Sequence, residues 1–220
     1  MNITIKSNLL KYCFRNVYFI NGTAYAGKST MIKLLAEKHD GICCGENYHD
    51  IFMDAINAES QPNLSYFNTM KDWQEFVNRT PEEYECWISG CSEEASDLEI
   101  IRLIQLIDCG KKIFVDTNIS TKKLWEISDY HHVAIMLAPQ SISIERFFDR
   151  EDEEKQFILE QIQKAENPEK TMQNYRECLA RVNSADKYHA FEESGFFTLV
   201  RDDERTLEQT LEILEKHFKL

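Results

Sequence analysis

Residues 21–30 read Asn-Gly-Thr-Ala-Tyr-Ala-Gly-Lys-Ser-Thr, and this stretch decides the fold of the 220-residue chain. Gly22, Gly27, Lys28 and Ser29 stand at the spacing G-x-x-x-x-G-K-[ST] that is typical of a phosphate-binding loop. The glycines let the backbone turn tightly, so that consecutive N–H groups point into one anion-sized hollow. The stretch therefore predicts a site for a phosphorylated ligand.

The segments on either side of the loop agree with this interpretation. Residues 17–20 are β-branched and aromatic, which favours a strand, and residues 31–38 have the composition of a helix. The start of that helix favours phosphate, Lys28 can reach the β- and γ-phosphates, and the Ser29 hydroxyl can ligate Mg²⁺. The residues expected to bind the nucleotide are Gly22, Thr23, Ala24, Tyr25, Ala26, Gly27, Lys28, Ser29 and Thr30.

Strand and helix patterns alternate along the rest of the chain. Strands are predicted at residues 15–20, 42–44, 111–116, 132–137 and 196–200. Helices are predicted at residues 28–39, 93–109, 120–127, 141–164, 167–182 and 206–218, with short helical pieces between residues 49 and 92. Five strands alternating with helices predict right-handed crossovers and a parallel sheet covered on both faces, in one α/β domain spanning residues 1–220.

Composition argues against two classes of partner. Lys and Arg number 25 against 38 Asp and Glu, so the net charge of −13 disfavours broad binding to nucleic acid or to anionic membranes. No apolar run approaches the ~20 residues of a membrane span, and the first 16 residues lack the apolar core of a signal peptide. Seven cysteines without a Cys-x-x-Cys pair favour reduced thiols and a cytoplasmic location. The sequence does not indicate an oligomeric state.

Taken together, these features resemble the P-loop kinases of the nucleoside and nucleoside-monophosphate kinase type. The loop is similar to those of deoxynucleoside kinases, although many monophosphate kinases place a further glycine where Tyr25 stands. The resemblance implies a three-layer α/β/α P-loop NTPase fold with ATP and Mg²⁺ as ligands. It also implies a helical substrate-binding insertion at about residues 49–92 and a helical lid at about residues 141–165.

The resemblance extends to residues that would assist phosphoryl transfer. Asp116 closes an apolar strand, as the second acid of these families does, and would hold Mg²⁺ through water; the alternative is a capping or turn aspartate. Arg146 and Arg150 are spaced i, i+4 and match lid arginines that surround the migrating phosphoryl group. The alternative is a solvated helix in which both arginines pair with nearby glutamates.

The sequence says less about the site for the phosphoryl acceptor than about the site for the nucleotide. Glu46 follows the second strand, where deoxynucleoside kinases carry the carboxylate that deprotonates the acceptor hydroxyl, and Asp50 lies one helical turn along. Arg79 would bind an acceptor phosphate or base if it turned inward. Five aromatic residues either stack on a ring or form core: Tyr48, Tyr66, Phe67, Trp73 and Trp87. Acids at the mouth and few basic residues inside would favour a neutral, hydroxyl-bearing ring.

The sequence thus predicts an ATP- and Mg²⁺-dependent kinase that transfers the γ-phosphoryl group to a small-molecule acceptor, with nucleosides and nucleotides as the leading classes. Two alternatives stay open. One is a nucleotide-dependent regulatory NTPase that acts on a protein partner, because a fold does not determine a function. The other is a loop that binds nucleotide without turnover.

The first prediction concerns Lys28, because its position in the loop directs its ammonium group at the phosphates. Lys28→Ala should abolish turnover and weaken ATP binding while the chain stays folded. Equilibrium binding of ATP and a coupled assay of ADP release measure the two effects. Unchanged ATP affinity and turnover in the variant would refute the assignment of the loop.

Overall fold

A computed structural model describes residues 5–139, 142, 147–148, 153–202 and 204–220. Within these residues, one five-stranded sheet forms with all strands parallel, in the order β2-β3-β1-β4-β5. The strands are β1 Val17–Gly22, β2 Ile42–Cys44, β3 Ile113–Asp116, β4 Val133–Leu137 and β5 Phe197–Val200. The α/β class and the five parallel strands expected from the sequence are confirmed.

Helices connect the strands throughout the described part of the chain. They are α1 Ser7–Cys13, α2 Lys28–Lys38, α3 Tyr66–Thr69, α4 Trp73–Val77, α5 Pro81–Leu106, α6 Thr121–Ile127, α7 Glu153–Gln163, α8 Pro168–Val182, α9 Ala185–Glu192 and α10 Leu207–Phe218. Single 3₁₀ segments lie at Asp50–Ala55, Ile107–Cys109 and Tyr130–His132. None of the helices in the described ranges combines the length and hydrophobicity that crossing a bilayer requires.

Side-chain caps begin several helices where the sequence predicts them. Thr80 and Glu83 form a capping box at the start of α5, with Pro81 at the first position, and Thr206 and Gln209 form another before α10. These caps satisfy N–H groups that a helix leaves without an intrahelical acceptor. The helix start predicted at residue 206 is therefore confirmed, and α5 begins at a second motif of the same kind.

Helix α5 differs from the prediction, because it runs unbroken for 26 residues where two separate pieces were expected to meet near residue 92. Gly90 lies inside it without ending it. A Cβ at this glycine would lie 2.3 Å from the Asn63 side chain, so the preceding loop packs tightly against the helix here. This packing explains how a poor helix former is retained in mid-helix, since tertiary contacts override intrinsic propensity.

The sheet is buried on both faces, as the parallel arrangement predicts. Alternate residues of β1 serve the two cores: Phe19 packs in the core under α1 and α6, and Ile20 packs in the core under α2 and α10. In α10, Leu214 and Phe218 are buried whereas Leu207 is 55% exposed, so this helix packs on the sheet through its C-terminal half. A third apolar cluster, centred on Phe76, Tyr84 and Tyr175, packs α4, α5, α7 and α8 together beside the sheet.

The end of β1 requires a glycine, because the chain passes against the backbone of β4 at this point. Gly22 has φ +130°, and a Cβ added to it would lie 1.9 Å from the carbonyl oxygen of Met136. Gly22→Ala should therefore lower the free energy of unfolding by at least about 3 kcal/mol, since the clash and the backbone strain add. Gly45→Ala is the matched control, because a Cβ there meets nothing within 4 Å. Urea unfolding measures both, and equal stability of the two variants would contradict this packing.

Candidate functional site

The loop between β1 and α2 adopts two left-handed backbone conformations. Gly27, which precedes the first residue of α2, has φ +89°, and Tyr25 has φ +65°. A bulky residue in this region is strained, whereas glycine is not. The Arg201 guanidinium donates a hydrogen bond to the Tyr25 carbonyl oxygen at 2.8 Å and so supports the strained turn.

The base of the loop is tied to neighbouring strands by hydrogen bonds. The Thr23 N–H donates to the Met136 carbonyl at 3.0 Å, and the Thr23 hydroxyl accepts from the Ala138 N–H at 2.7 Å. On the other side, the Asn21 side-chain amide donates to the Ile119 carbonyl at 2.7 Å. The loop is thus held between the end of β4 and the segment that follows β3, which fixes the direction in which its backbone points.

Three side chains meet where the loop enters α2. The Ser29 hydroxyl donates a hydrogen bond to Asp116 Oδ2 at 2.8 Å, and Lys28 Nζ lies 3.8 Å from Asp116 Oδ1. Lys28 also donates to the Thr23 carbonyl at 3.1 Å. Burial raises the pKa of Asp116 above its usual range, the Lys28 ammonium and the Ser29 hydroxyl act against that rise, and the Glu46 carboxylate adds to it. The loop and the predicted second acid therefore form one polar cluster.

The donor set of this cluster fits Mg²⁺ bound together with phosphates. Mg²⁺ prefers hard oxygen ligands and usually takes one or two protein oxygens, with substrate phosphates and waters completing the shell. The Ser29 hydroxyl and the Asp116 carboxylate supply such oxygens beside the loop. Among the described residues, no group of three or more His, Cys, Asp or Glu side chains would hold a metal alone. These two oxygens therefore suit a metal that arrives with a nucleotide.

A cavity of about 680 Å³ extends from the loop into the space between α5 and the helices α8 and α9. One helical face of α5 forms a wall, since Tyr84, Ile88, Ser92 and Ala95 recur at steps of three or four residues. The opposite wall is contributed by Leu179, Val182, Asn183, Ser184, Lys187, Tyr188 and Phe191. The lining combines apolar side chains with nearly as much polar surface, which suits a small organic ligand that carries polar groups.

Glu46 borders this cavity together with the loop, whereas Asp50 is not among its lining residues. Two lysines that the sequence did not single out, Lys155 and Lys187, also border it. Lys187 is paired with Glu85 at 3.1 Å. The charge of the pocket is therefore mixed, with an acid near the loop and lysines farther along.

Arg79 and most of the candidate stacking residues are used in packing. The Arg79 guanidinium lies 3.7 Å from the centre of the Tyr66 ring, a cation–π contact, and is not among the cavity residues. Phe67 stacks on Trp73 at 5.2 Å and meets Trp87 edge-on at 5.5 Å. Tyr66, Trp73 and Trp87 pack against the buried cluster that contains Phe76, which is the alternative that the sequence left open for them, whereas Phe67 is 42% exposed.

The predicted lid arginines Arg146 and Arg150 lie outside the described residues. Of the predicted lid segment, α7 is described, and Phe147 and Lys155 border the cavity. Phosphate binding by the two arginines stays a prediction.

A buried carboxylate beside the cluster was missed by the sequence analysis. Glu99, on α5, is 0% exposed and accepts hydrogen bonds from the Thr117 hydroxyl at 2.6 Å, the Asn118 side-chain amide at 2.9 Å and the Tyr48 hydroxyl at 3.2 Å. Burial raises the pKa of Glu99, and the Thr117 and Asn118 hydrogen bonds act against that rise. In the sequence, Glu99 stands four residues after Ala95, on the apolar face of the helix. An acid at such a position is the only sign that it is buried.

No family model, curated protein or solved structure matches this chain.

The contribution of Glu99 to the free energy of unfolding should depend on pH. Because the pKa of Glu99 is raised in the folded chain, the folded state binds more protons than the unfolded state above the ordinary value of 4.5. The contribution of Glu99 to the free energy of unfolding therefore falls as pH rises from 4.5 through the raised pKa. The excess stability of the wild type over Glu99→Gln should be largest at low pH and shrink as pH rises. Urea unfolding between pH 4 and 8 measures this difference, and a constant difference would contradict the assignment.

Proposed function

We propose that this chain is an ATP- and Mg²⁺-dependent small-molecule kinase with a P-loop kinase fold. The observation that carries the proposal is the cluster of Lys28, Ser29 and Asp116 at one end of a cavity that continues beyond the loop. A hydroxyl and a carboxylate beside a loop of phosphate-binding spacing supply the ligands that a metal-bound triphosphate needs. The γ-phosphoryl group would pass to a hydroxyl or phosphate of an acceptor in the same cavity.

In this proposal, different residues bind the phosphates, bind the metal and accept the proton. The backbone of residues 22–30 and Lys28 hold the phosphates, and Ser29 and Asp116 hold the metal. When bound, Mg²⁺ supplies positive charge that offsets charge on the phosphoryl oxygens. Glu46, which borders the cavity near this end, accepts the proton of the acceptor hydroxyl. Arg146 and Arg150 are proposed to close over the phosphates and exclude water.

The rival proposal is a regulatory NTPase whose nucleotide state signals to a protein partner. Such a switch needs a nucleotide site and a surface that changes, but no enclosed chamber for a second small molecule. The cavity of about 680 Å³ lies within the 300–1,000 Å³ range of small-molecule sites and extends well past the loop. This extension favours a kinase over a switch.

A phosphate-transfer screen with ATP and Mg²⁺ over nucleosides, nucleotides, sugars and other small metabolites tests the proposal. Transfer to at least one acceptor, faster than hydrolysis of ATP by water, is the expected result. Glu46→Gln should then keep ATP binding and slow transfer by about 10²–10⁴, the usual contribution of a general base. Asp50→Asn is the matched control, because Asp50 lies four residues away and outside the cavity lining, and it should transfer at close to the wild-type rate. Transfer by Glu46→Gln at the wild-type rate would exclude the carboxylate as base, and nucleotide hydrolysis without transfer to any acceptor would favour the switch.

A further inference from the structure

His49 occupies an unusual position at the edge of the cavity. It is 4% exposed, yet it is one of the residues that border the cavity, three positions after Glu46. Its Nδ1 atom is buried and has no hydrogen-bond partner among the described residues. A buried polar atom without a partner costs free energy, so a structural histidine would normally be satisfied by its neighbours. A ring that closes on a partner of Nδ1 only when a ligand binds its other nitrogen would explain this arrangement.

Glu99 lies directly behind the imidazole. Its Oε1 atom is 3.7 Å from His49 Nδ1, slightly beyond hydrogen-bond distance. Thr117 and Asn118 donate hydrogen bonds to the same carboxylate and hold it in place. A fixed carboxylate beside one ring nitrogen selects the tautomer that carries its proton on that nitrogen. Glu99 therefore favours a proton on Nδ1, which leaves Nε2 as a hydrogen-bond acceptor.

The surroundings of Nε2 favour a neutral ligand. The nearest charged partner of Nε2 is Asp50, whose Oδ1 lies 3.8 Å away on a side chain that is 63% exposed. Glu99 lies 3.7 Å from the other ring nitrogen, so two carboxylates lie within 4 Å of this histidine, and Glu46 borders the same cavity. An anionic group placed against Nε2 would meet repulsion from these carboxylates. A neutral hydroxyl or amine that donates a hydrogen bond would not.

We propose that His49 is an acceptor-binding residue, positioned by Glu99, whose Nε2 atom accepts a hydrogen bond from a neutral hydroxyl- or amine-bearing ring such as a nucleoside. This assignment rests on the proposed kinase function. Proton removal stays with Glu46, and His49 holds the acceptor. Closure of the gap between His49 Nδ1 and Glu99 accompanies binding, because hydrogen bonds at such sites tighten when the ligand is present.

Nuclear magnetic resonance of the full chain labelled with ¹⁵N-histidine tests the assignment without any turnover. Long-range ¹H–¹⁵N spectra report which ring nitrogen of each histidine carries the proton, and His49→Gln identifies the His49 signals. The probes are the four common 2′-deoxynucleosides and their four 5′-monophosphates, each added at millimolar concentration. His39 is the matched internal control, because it has its own carboxylate partner, Glu215 at 2.8 Å, and does not border the cavity.

The expected result is a proton on Nδ1 of His49, an Nε2 signal that moves with at least one nucleoside, and His39 signals that do not move. His49→Gln should weaken binding of that nucleoside at least tenfold, whereas His39→Gln should leave it unchanged. A proton on Nε2 in the free protein, or an Nε2 signal that none of the eight probes moves, would overturn the assignment. Failure of the kinase proposal would appear separately, as absence of ATP binding, because the tautomer and the nucleoside shifts are read without ATP.

Discussion

The hydrogen bond from the Ser29 hydroxyl to the Asp116 carboxylate joins the loop after β1 to the end of β3. The order and register of the strands bring these two side chains together. Asp116 ends β3 in parallel register with Ile20 of the central strand, so the carboxylate stands level with the point where β1 leaves the sheet. The loop then turns over this edge and returns Ser29 to within 2.8 Å of the acid. Carboxyl ends of parallel strands meet at one edge, which is where α/β folds place their ligands. The sheet thus sets the distance between the two segments, and the loop brings Ser29 to the carboxylate at its edge.

The site carries two buried acids where an ordinary core would carry apolar side chains. Burial raises the pKa of both Asp116 and Glu99, so keeping either ionised at neutral pH opposes folding. Each is compensated locally, Asp116 by Lys28 and Ser29, and Glu99 by donors that follow β3. Perturbed acids clustered beside a cavity are typical of functional sites, although structural networks also produce them. Neither acid lines the cavity itself; Asp116 contacts Lys28 and Ser29, and Glu99 contacts Asn118, and these three residues do line it.

Most of the sheet was predictable from local patterns, whereas the acceptor side was not. Runs of β-branched residues identify buried strands, and Thr80 and Thr206 begin helices with capping boxes, so short sequence windows contain enough information for these elements. Gly22 and Asp116 were also predictable, because their roles follow from position relative to a strand. The continuity of α5 depends instead on packing against distant residues, as the contact between Gly90 and Asn63 shows. Glu99 and His49 meet across 50 residues of sequence, and no local pattern reveals such a pair.

The central claim is that the loop and Asp116 together bind a nucleoside triphosphate with its metal. The most direct test is calorimetric titration with a non-hydrolysable ATP analogue, with Mg²⁺ and with EDTA, on the wild type and on Asp116→Asn. The wild type should bind the analogue at least tenfold more tightly with Mg²⁺ than with EDTA, and this difference should disappear in Asp116→Asn while the fold persists. Binding of adenosine as tight as that of the analogue, or no binding of the analogue at all, would contradict the claim.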